Sequence, residues 1–106
     1  MIPKIGETWF VDFGMAQKPR WAFVVASHPE GRLAIATVVT ITTQFDATPF
    51  EVTLPRVPWL REQSYVNAQG LQPVRLHELT RKAPGQFDAR VLEDIRAAIK
   101  RWLNLK

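Results

Sequence analysis

The chain has no cysteine. That absence removes disulfides, thiolate zinc sites, iron–sulfur ligation and cysteine nucleophiles together, and it permits a reducing compartment. Histidine is scarce too, with only His28 and His77, and their wide separation specifies no metal site. Long hydrophobic runs are also missing. The longest are Trp21 to Ala26 and the threonine-interrupted stretch Leu33 to Ile41, far short of the roughly 18 residues of a spanning helix. The opening Met1-Ile2-Pro3-Lys4-Ile5-Gly6-Glu7 has no apolar block after its charge and so does not read as a signal peptide. These gaps together imply a cytoplasmic chain with no membrane segment.

What is present is the composition of an ordinary globular protein. The 106 residues are 46% hydrophobic and 23% charged, which excludes a disordered or low-complexity chain. That length suits one domain over residues 1–106, since two smaller cores would not offset chain entropy. The net charge of +4 is unevenly placed. Residues 1–53 carry 4 basic and 5 acidic side chains, and residues 54–106 carry 10 basic and 5 acidic. A C-terminal excess of that size suits an anionic partner such as nucleic acid or an acidic protein segment. A solvated helix face with ordinary surface lysine and arginine would give the same count.

The first three-quarters of the chain reads as short strands. Thr8 to Phe13 is aromatic and lies between Gly6 and Gly14. Trp21 to Ser27 is almost continuously apolar, which predicts a central strand buried on both faces. His28-Pro29-Glu30-Gly31 supplies a turn, and Leu33 to Thr42 a long β-branched strand. Phe50 to Leu54 alternates with period two and is closed by Pro55 and Pro58. Two further strands, Ser64 to Asn67 and Leu71 to Leu76, are expected on either side of Gly70, with a short helical turn at His77. The period then changes. Asp88 caps a helix in which Val91, Leu92, Ile95, Ile99, Trp102 and Leu103 form one stripe. Arg90, Glu93, Asp94, Arg96, Lys100 and Arg101 cover the other side. The expected architecture is mainly β: a small closed or half-closed barrel, or a sandwich, with a C-terminal amphipathic helix laid across it and its stripe buried.

Several segments resemble the PemK/MazF family of toxin–antitoxin ribonucleases. Gly6-Glu7-Thr8-Trp9-Phe10-Val11-Asp12-Phe13-Gly14 is similar to the family's opening "G-(D/E)-x-W-x-V-D-(F/L)-(G/S)". Arg20 to Ser27 resembles "R-P-A-L-V-V-S", and Val38 to Gln44 resembles "V-x-P-I-T-(S/T)". Phe50 to Leu54, Ser64 to Asn67 and the close from Gly85 to Asp88 follow in the family's order. The resemblance implies an SH3-like barrel, a homodimer, a cognate antitoxin partner, and cleavage of single-stranded RNA without metal or other cofactor. Its chemistry would be attack of the 2′-hydroxyl on the adjacent phosphorus, leaving a 2′,3′-cyclic phosphate.

Carried over by position, the family's catalytic arginine falls on Arg20 and its catalytic Ser/Thr on Thr42. A guanidinium fork holds two oxygens of a phosphorane, and a hydroxyl adds a pre-aimed donor. Taken without the resemblance, Arg20 reads as a turn arginine and Thr42 as a strand residue. Lys18, Thr43, Gln44, Trp59, Arg61, Gln72 and Arg75 are candidate RNA contacts. Trp59 suits either base stacking or a dimer interface, while Trp9 and Trp102 sit in core patterns. The sequence also departs from the family. Gln69, Gly70, Gln72 and Arg75 stand where the family has Asp, Gln, Arg and Asp. Arg75 lies three residues from position 72, so period two sends it to the other face. Two alternatives therefore remain. One is a barrel that has lost catalysis and keeps RNA or protein binding. The other is a relative of the gyrase-poisoning branch, acting through its C-terminal helix.

Overall fold

The computed structural model describes residues 2–28 and 30–106. Met1 and Pro29, on which the expected signal-free start and the His28–Gly31 turn partly rest, lie outside them. Six strands form one antiparallel sheet: β1 Thr8–Val11, β2 Arg20–Ser27, β3 Ile35–Thr42, β4 Glu51–Thr53, β5 Tyr65–Arg75 and β6 Leu79–Lys82. Their order across the sheet is β4-β5-β3-β2-β1-β6. A helix, α1, follows at Ala89–Leu103. The chain is thus mainly β with a C-terminal helix, as its periodicity implies.

β2 is the central strand, and its alternation shows why it reads as continuously apolar. Ala22 and Val24 point to one face, where they join Trp9, Val11, Ala36, Val38, Val74 and Leu79. Phe23 points to the other, into a core with Val39, Ile41, Val66, Leu54 and the helix. Both faces are buried because the sheet curls. A single 3₁₀ turn, Leu76–Glu78, joins β5 to β6 at the far side of β1. Three residues at about 2 Å each cannot cross a flat five-strand span. The sheet therefore wraps until Val74 of β5 and Leu79 of β6 share one cluster. No ladder joins β5 to β6 among the described residues, so the expected barrel is left open. The turn takes the place of that ladder: the amide of Leu76 donates to Ala34 O (3.0 Å) and that of Asp12 to Glu78 O (2.9 Å).

The two strands expected on either side of Gly70 are one bent strand. Between the pairs Ile41–Val66 and Val39–Leu71, β3 advances two residues while β5 advances five. The surplus is absorbed at Asn67 to Gly70, where β5 leaves its pairing with β4 and continues along β3. Gly70 fits this bend because a Cβ there would lie 3.1 Å from Thr40 Oγ1 and 3.3 Å from Asn67 O. Hydrophobic alternation cannot register such a bulge. β6 went unread for a related reason: of Leu79-Thr80-Arg81-Lys82 only Leu79 is buried.

Asp88 caps α1, its Oδ1 accepting from the Val91 amide at 3.3 Å. Val91, Ile95 and Ala98 are buried against β4 and β5, with Leu92 and Ile99 at their margin. The stripe does not stay buried to its end. Fifteen residues span about 22 Å, and the three-residue β4 edge stops short of that. Trp102 is consequently 42% and Leu103 48% exposed, which corrects the expectation that Trp102 lies in the core. Its ring meets Phe50 edge-on at 5.4 Å.

Candidate active site

Arg20 opens β2 immediately after Pro19, and Thr42 closes β3. Ala22 pairs with Thr40 in that ladder, so extending the register two residues outward sets Arg20 opposite Thr42. Directly opposed residues share a face. Thr42 is in turn paired with Tyr65, and Tyr65 with Thr53, so one sheet face carries Arg20, Thr42 and Tyr65 side by side. Sequence separation hides this: the three residues come from three different strands, β2, β3 and β5.

Arg20 and Thr42 border two adjoining clefts. The first, about 270 Å³, is lined by both together with Phe10, Trp21, Thr43, Arg61, Glu62 and Ser64. The second, about 370 Å³, adds Gln44, Asp46, Glu51, Asn67 and Gln69. Their charges differ. The first holds Arg20 and Arg61 against Glu62, and the second Arg20 against Asp46 and Glu51. The first is therefore the better seat for a phosphate.

Arg20 Nε is buried and has no hydrogen-bond partner among the described residues. A buried donor left unpaired costs about 1–3 kcal/mol, so it signals an occupant that brings an acceptor. Thr42 Oγ1 accepts from the Gln44 amide at 3.1 Å, which leaves its own hydrogen free to donate. The wall beneath is aromatic and rigid. Phe10 meets Trp21 edge-on at 5.3 Å, Trp21 meets Trp59 at 5.4 Å, and Trp59 meets Phe87 at 5.4 Å. Arg81 lies over the Phe10 and Trp21 rings at 5.0 and 5.2 Å. Arg81 pairs with Phe10 whereas Arg20 pairs with Val11, so it stands on the other sheet face and lines neither cleft. It left no sign in the sequence, because β6 shows no pattern there.

The loop after Thr42 is held by Glu51. Its carboxylate accepts from the Asp46 amide (2.8 Å), the Thr48 amide (2.7 Å) and Thr48 Oγ1 (2.8 Å). The backbone bonds from Asp46 and then Thr48 hold its pKa below the usual carboxylate range against slight desolvation. Gln44 Nε2 donates to both oxygens of Asp46.

The remaining candidates separate. Thr43 and Arg61 join Arg20 in the first cleft, and Gln44 joins it in the second. Lys18 lies in the exposed β1–β2 loop. Gln72 pairs with Val38 and accepts at Oε1 from Gln17 Nε2 (3.2 Å). Arg75 pairs with Ile35 and falls on the opposite face from Gln72, lining neither cleft. Trp59 is wedged between Trp21, Phe87 and Gly85, where a Cβ would meet its Nε1 at 3.2 Å. Its free side faces a shallow recess with Val57, Pro58 and Pro84. Neither histidine lines either cleft, and no group of three or more His, Cys, Asp or Glu gathers as a metal site among the described residues.

Comparison with known proteins agrees in sequence and in shape. The family model described as PemK-like, MazF-like toxin of type II toxin–antitoxin system matches residues 4–103. A search of curated proteins finds no match. Among solved structures, the chain is similar to an endoribonuclease in complex with its cognate antitoxin from Mycobacterial species. The TM-score is 0.80 at 22% identity, covering 98% of this chain and 97% of that one. It is likewise similar to MazF from Deinococcus radiodurans, with TM-score 0.79, 22% identity and 99% of each chain covered. A third similar structure is the Mycobacterium tuberculosis toxin MazF-mt6, with TM-score 0.80 at 22% identity over 94% of this chain and 98% of that one.

Proposed function

Because the chain belongs to the PemK-like, MazF-like toxins of type II toxin–antitoxin systems, we propose that it is an endoribonuclease that cleaves single-stranded RNA. The observation that carries this reading is Arg20: half-buried, its Nε unpaired, bordering both clefts beside Thr42. The reacting phosphate sits in the Arg20–Arg61 cleft. The 2′-hydroxyl oxygen attacks phosphorus, the bond to the 5′-oxygen of the next nucleotide breaks, and a 2′,3′-cyclic phosphate and a 5′-hydroxyl result. Negative charge gathers on the non-bridging oxygens. The Arg20 fork takes that charge without giving up its own proton, and the free Thr42 hydrogen adds a donor already fixed in place. Glu62 is the acidic side chain lining that cleft, and we assign it the 2′-hydroxyl proton, which it then gives to the departing 5′-oxygen to form the 5′-hydroxyl.

The same cleft suits an antitoxin whose acidic segment would occupy the seat of the phosphate. One of the similar structures holds an endoribonuclease with its cognate antitoxin. A homodimer and a cytoplasmic location complete the reading. Among the described residues, no helix is long and apolar enough to cross a membrane.

One observation favours a second reading, a module that binds without cleaving. Gln72 is neutral and already bonded to Gln17, so that position offers no charge to a phosphate. The deciding experiment incubates single-stranded RNA with the wild type, Arg20→Ala and Gln72→Arg, with EDTA present. Cyclic-phosphate ends from the wild type that vanish in Arg20→Ala support the ribonuclease. An inert wild type with an active Gln72→Arg identifies a lapsed toxin. If all are inert yet bind RNA with steep salt dependence, the binding module stands.

A further inference from the structure

Phe45 is a residue that neither the sequence pattern nor the proposed chemistry uses. It follows Gln44 in the β3–β4 loop, and its ring lies over Tyr65 with centroids 4.5 Å apart and planes 17° from parallel. One face of the ring is thus covered by Tyr65, yet the residue remains 47% exposed. A single exposed apolar side chain is ordinary on a protein surface. Here three further observations set it apart.

The first is register. Tyr65 pairs with Thr42, so the stack stands on the face that carries Arg20 and Thr42, one pair away from the latter. The second is rigidity. On the N-terminal side the Gln44 amide is tied to Thr42 Oγ1, and on the C-terminal side Glu51 takes three hydrogen bonds from Asp46 and Thr48. The loop thus holds its ring in place before anything binds. The third is chemistry. Gln44 and Asp46, on either side of Phe45, both line the second cleft with Arg20, Asn67 and Gln69. A lone flat ring framed by amides and a carboxylate is too small and too polar in its setting for the core of a protein interface. It fits a flat, polar-edged group of its own size.

We propose that Phe45, backed by Tyr65, is a stacking platform for a nucleobase adjacent to the phosphate held at Arg20. The assignment rests on the ribonuclease reading for its ligand class. Stacking needs only a π-face, so the platform orders the strand and fixes the phosphate's approach without demanding one base. It also places the polar cleft wall at the edge of the stacked base, where amides and a carboxylate meet base hydrogen-bonding groups.

The test uses the full chain and a short fluorescein-labelled RNA pool of random sequence. All its 2′ positions carry O-methyl groups, so cleavage is blocked and binding is read alone. Companion pools carry one abasic position, moved along the strand. Wild-type affinity should fall roughly 10-fold when the abasic position meets the platform. Phe45→Ala should bind the intact pool about 10-fold more weakly and show no further loss with any abasic pool. Phe45→Trp should restore both the affinity and the abasic sensitivity. Phe45→Leu keeps an apolar contact with Tyr65 but lacks the π-face, and it should behave as the alanine variant with the thermal midpoint of wild type.

Equal abasic sensitivity in wild type and Phe45→Ala overturns the platform. So does unchanged affinity in the variants, no binding by wild type, or a change of oligomeric state on substitution of Phe45. Cleavage of unmodified RNA is measured in parallel. A chain that cleaves but ignores Phe45 loses the platform and keeps its activity, while one that stacks bases but never cleaves loses the ribonuclease reading alone.

Discussion

At one end of the β2–β3 pair stand Arg20 and Thr42, and at the other Ser27 and Ile35. The ladder between them is the same, and Ala22, Phe23, Val24, Val38 and Val39 bury both its faces. The first end opens onto polar clefts with an unpaired guanidinium nitrogen. The second opens onto a mainly apolar recess of about 430 Å³ lined by Ala26, Leu33, Ile35 and neighbours. Pairing is unbroken from Ala22–Thr40 to Val24–Val38, and the register shifts only beyond Val24, toward the second end. A bulge near Arg20 would have rotated it off the face of Thr42. Between β2 and β3 the shift lies beyond Val24, away from Arg20, while the bulge nearest Thr42 falls on the other side of β3, in its pairing with β5.

Substitutions at the two ends should differ accordingly. Arg20→Ala should lower kcat/KM for RNA by about 100- to 1,000-fold, as for loss of one preorganised donor at a developing oxyanion. Its thermal midpoint should stay near that of wild type, because Arg20 has an unpaired donor to lose. A variant that unfolds instead would make Arg20 a structural residue. Glu62→Gln should lower kcat by about 100-fold with KM little changed, the effect of removing a positioned base. Equal activity would move the proton acceptor elsewhere.

Glu7 tests the frame that both ends share. It is 8% exposed and accepts from the Lys4 amide (2.8 Å), Trp9 Nε1 (3.1 Å) and Lys82 Nζ (3.0 Å), tying the N-terminus to β1 and β6. Burial pushes its carboxyl up, but those hydrogen bonds and the Lys82 charge outweigh burial and hold it below the usual carboxylate range. Glu7→Gln should cost about 1–3 kcal/mol in urea unfolding near neutral pH, the range for buried donors left without a charged acceptor. A depressed acid stabilises fully above its unfolded pKa, and that contribution is lost as pH falls through the folded value. The gap between wild type and Glu7→Gln should therefore close in acid. A gap that widened there would refute the ion pair. Smallest of all, Leu33→Ser at the apolar end, 58% exposed, should change stability by no more than about 0.5 kcal/mol and leave cleavage intact. An activity loss there would erase the contrast between the ends.

Much of this was legible in the chain. The buried central strand, the Asp88 cap and the 3.6-residue stripe follow from local chemistry, since side-chain alternation and capping act over a few residues. The placement of Arg75 away from position 72 also follows from strand period alone, and the pairing with Ile35 agrees. The bend of β5 was not legible, because the space that suits a glycine at position 70 is set by Thr40, thirty positions away. Trp102 was misplaced because a stripe records which face is apolar and not where the opposing sheet stops. Arg81 and Phe45 gave no signal in their own segments. Each matters through rings or strands that the fold brings alongside.

By itself the sequence determined the buried central strand and the capped helix, and its family resemblance singled out Arg20 and Thr42, but it left β6 and the continuity of β5 unmarked. Tertiary structure alone decided that the sheet curls without closing. It also decided that those two residues share a face, that Arg61 and Glu62 line a cleft with them, and that the Phe45–Tyr65 stack stands on that same face. The reason is physical. Secondary structure is chosen by interactions within a few residues. A site is made by register, bulge and curl, which depend on how distant segments pack.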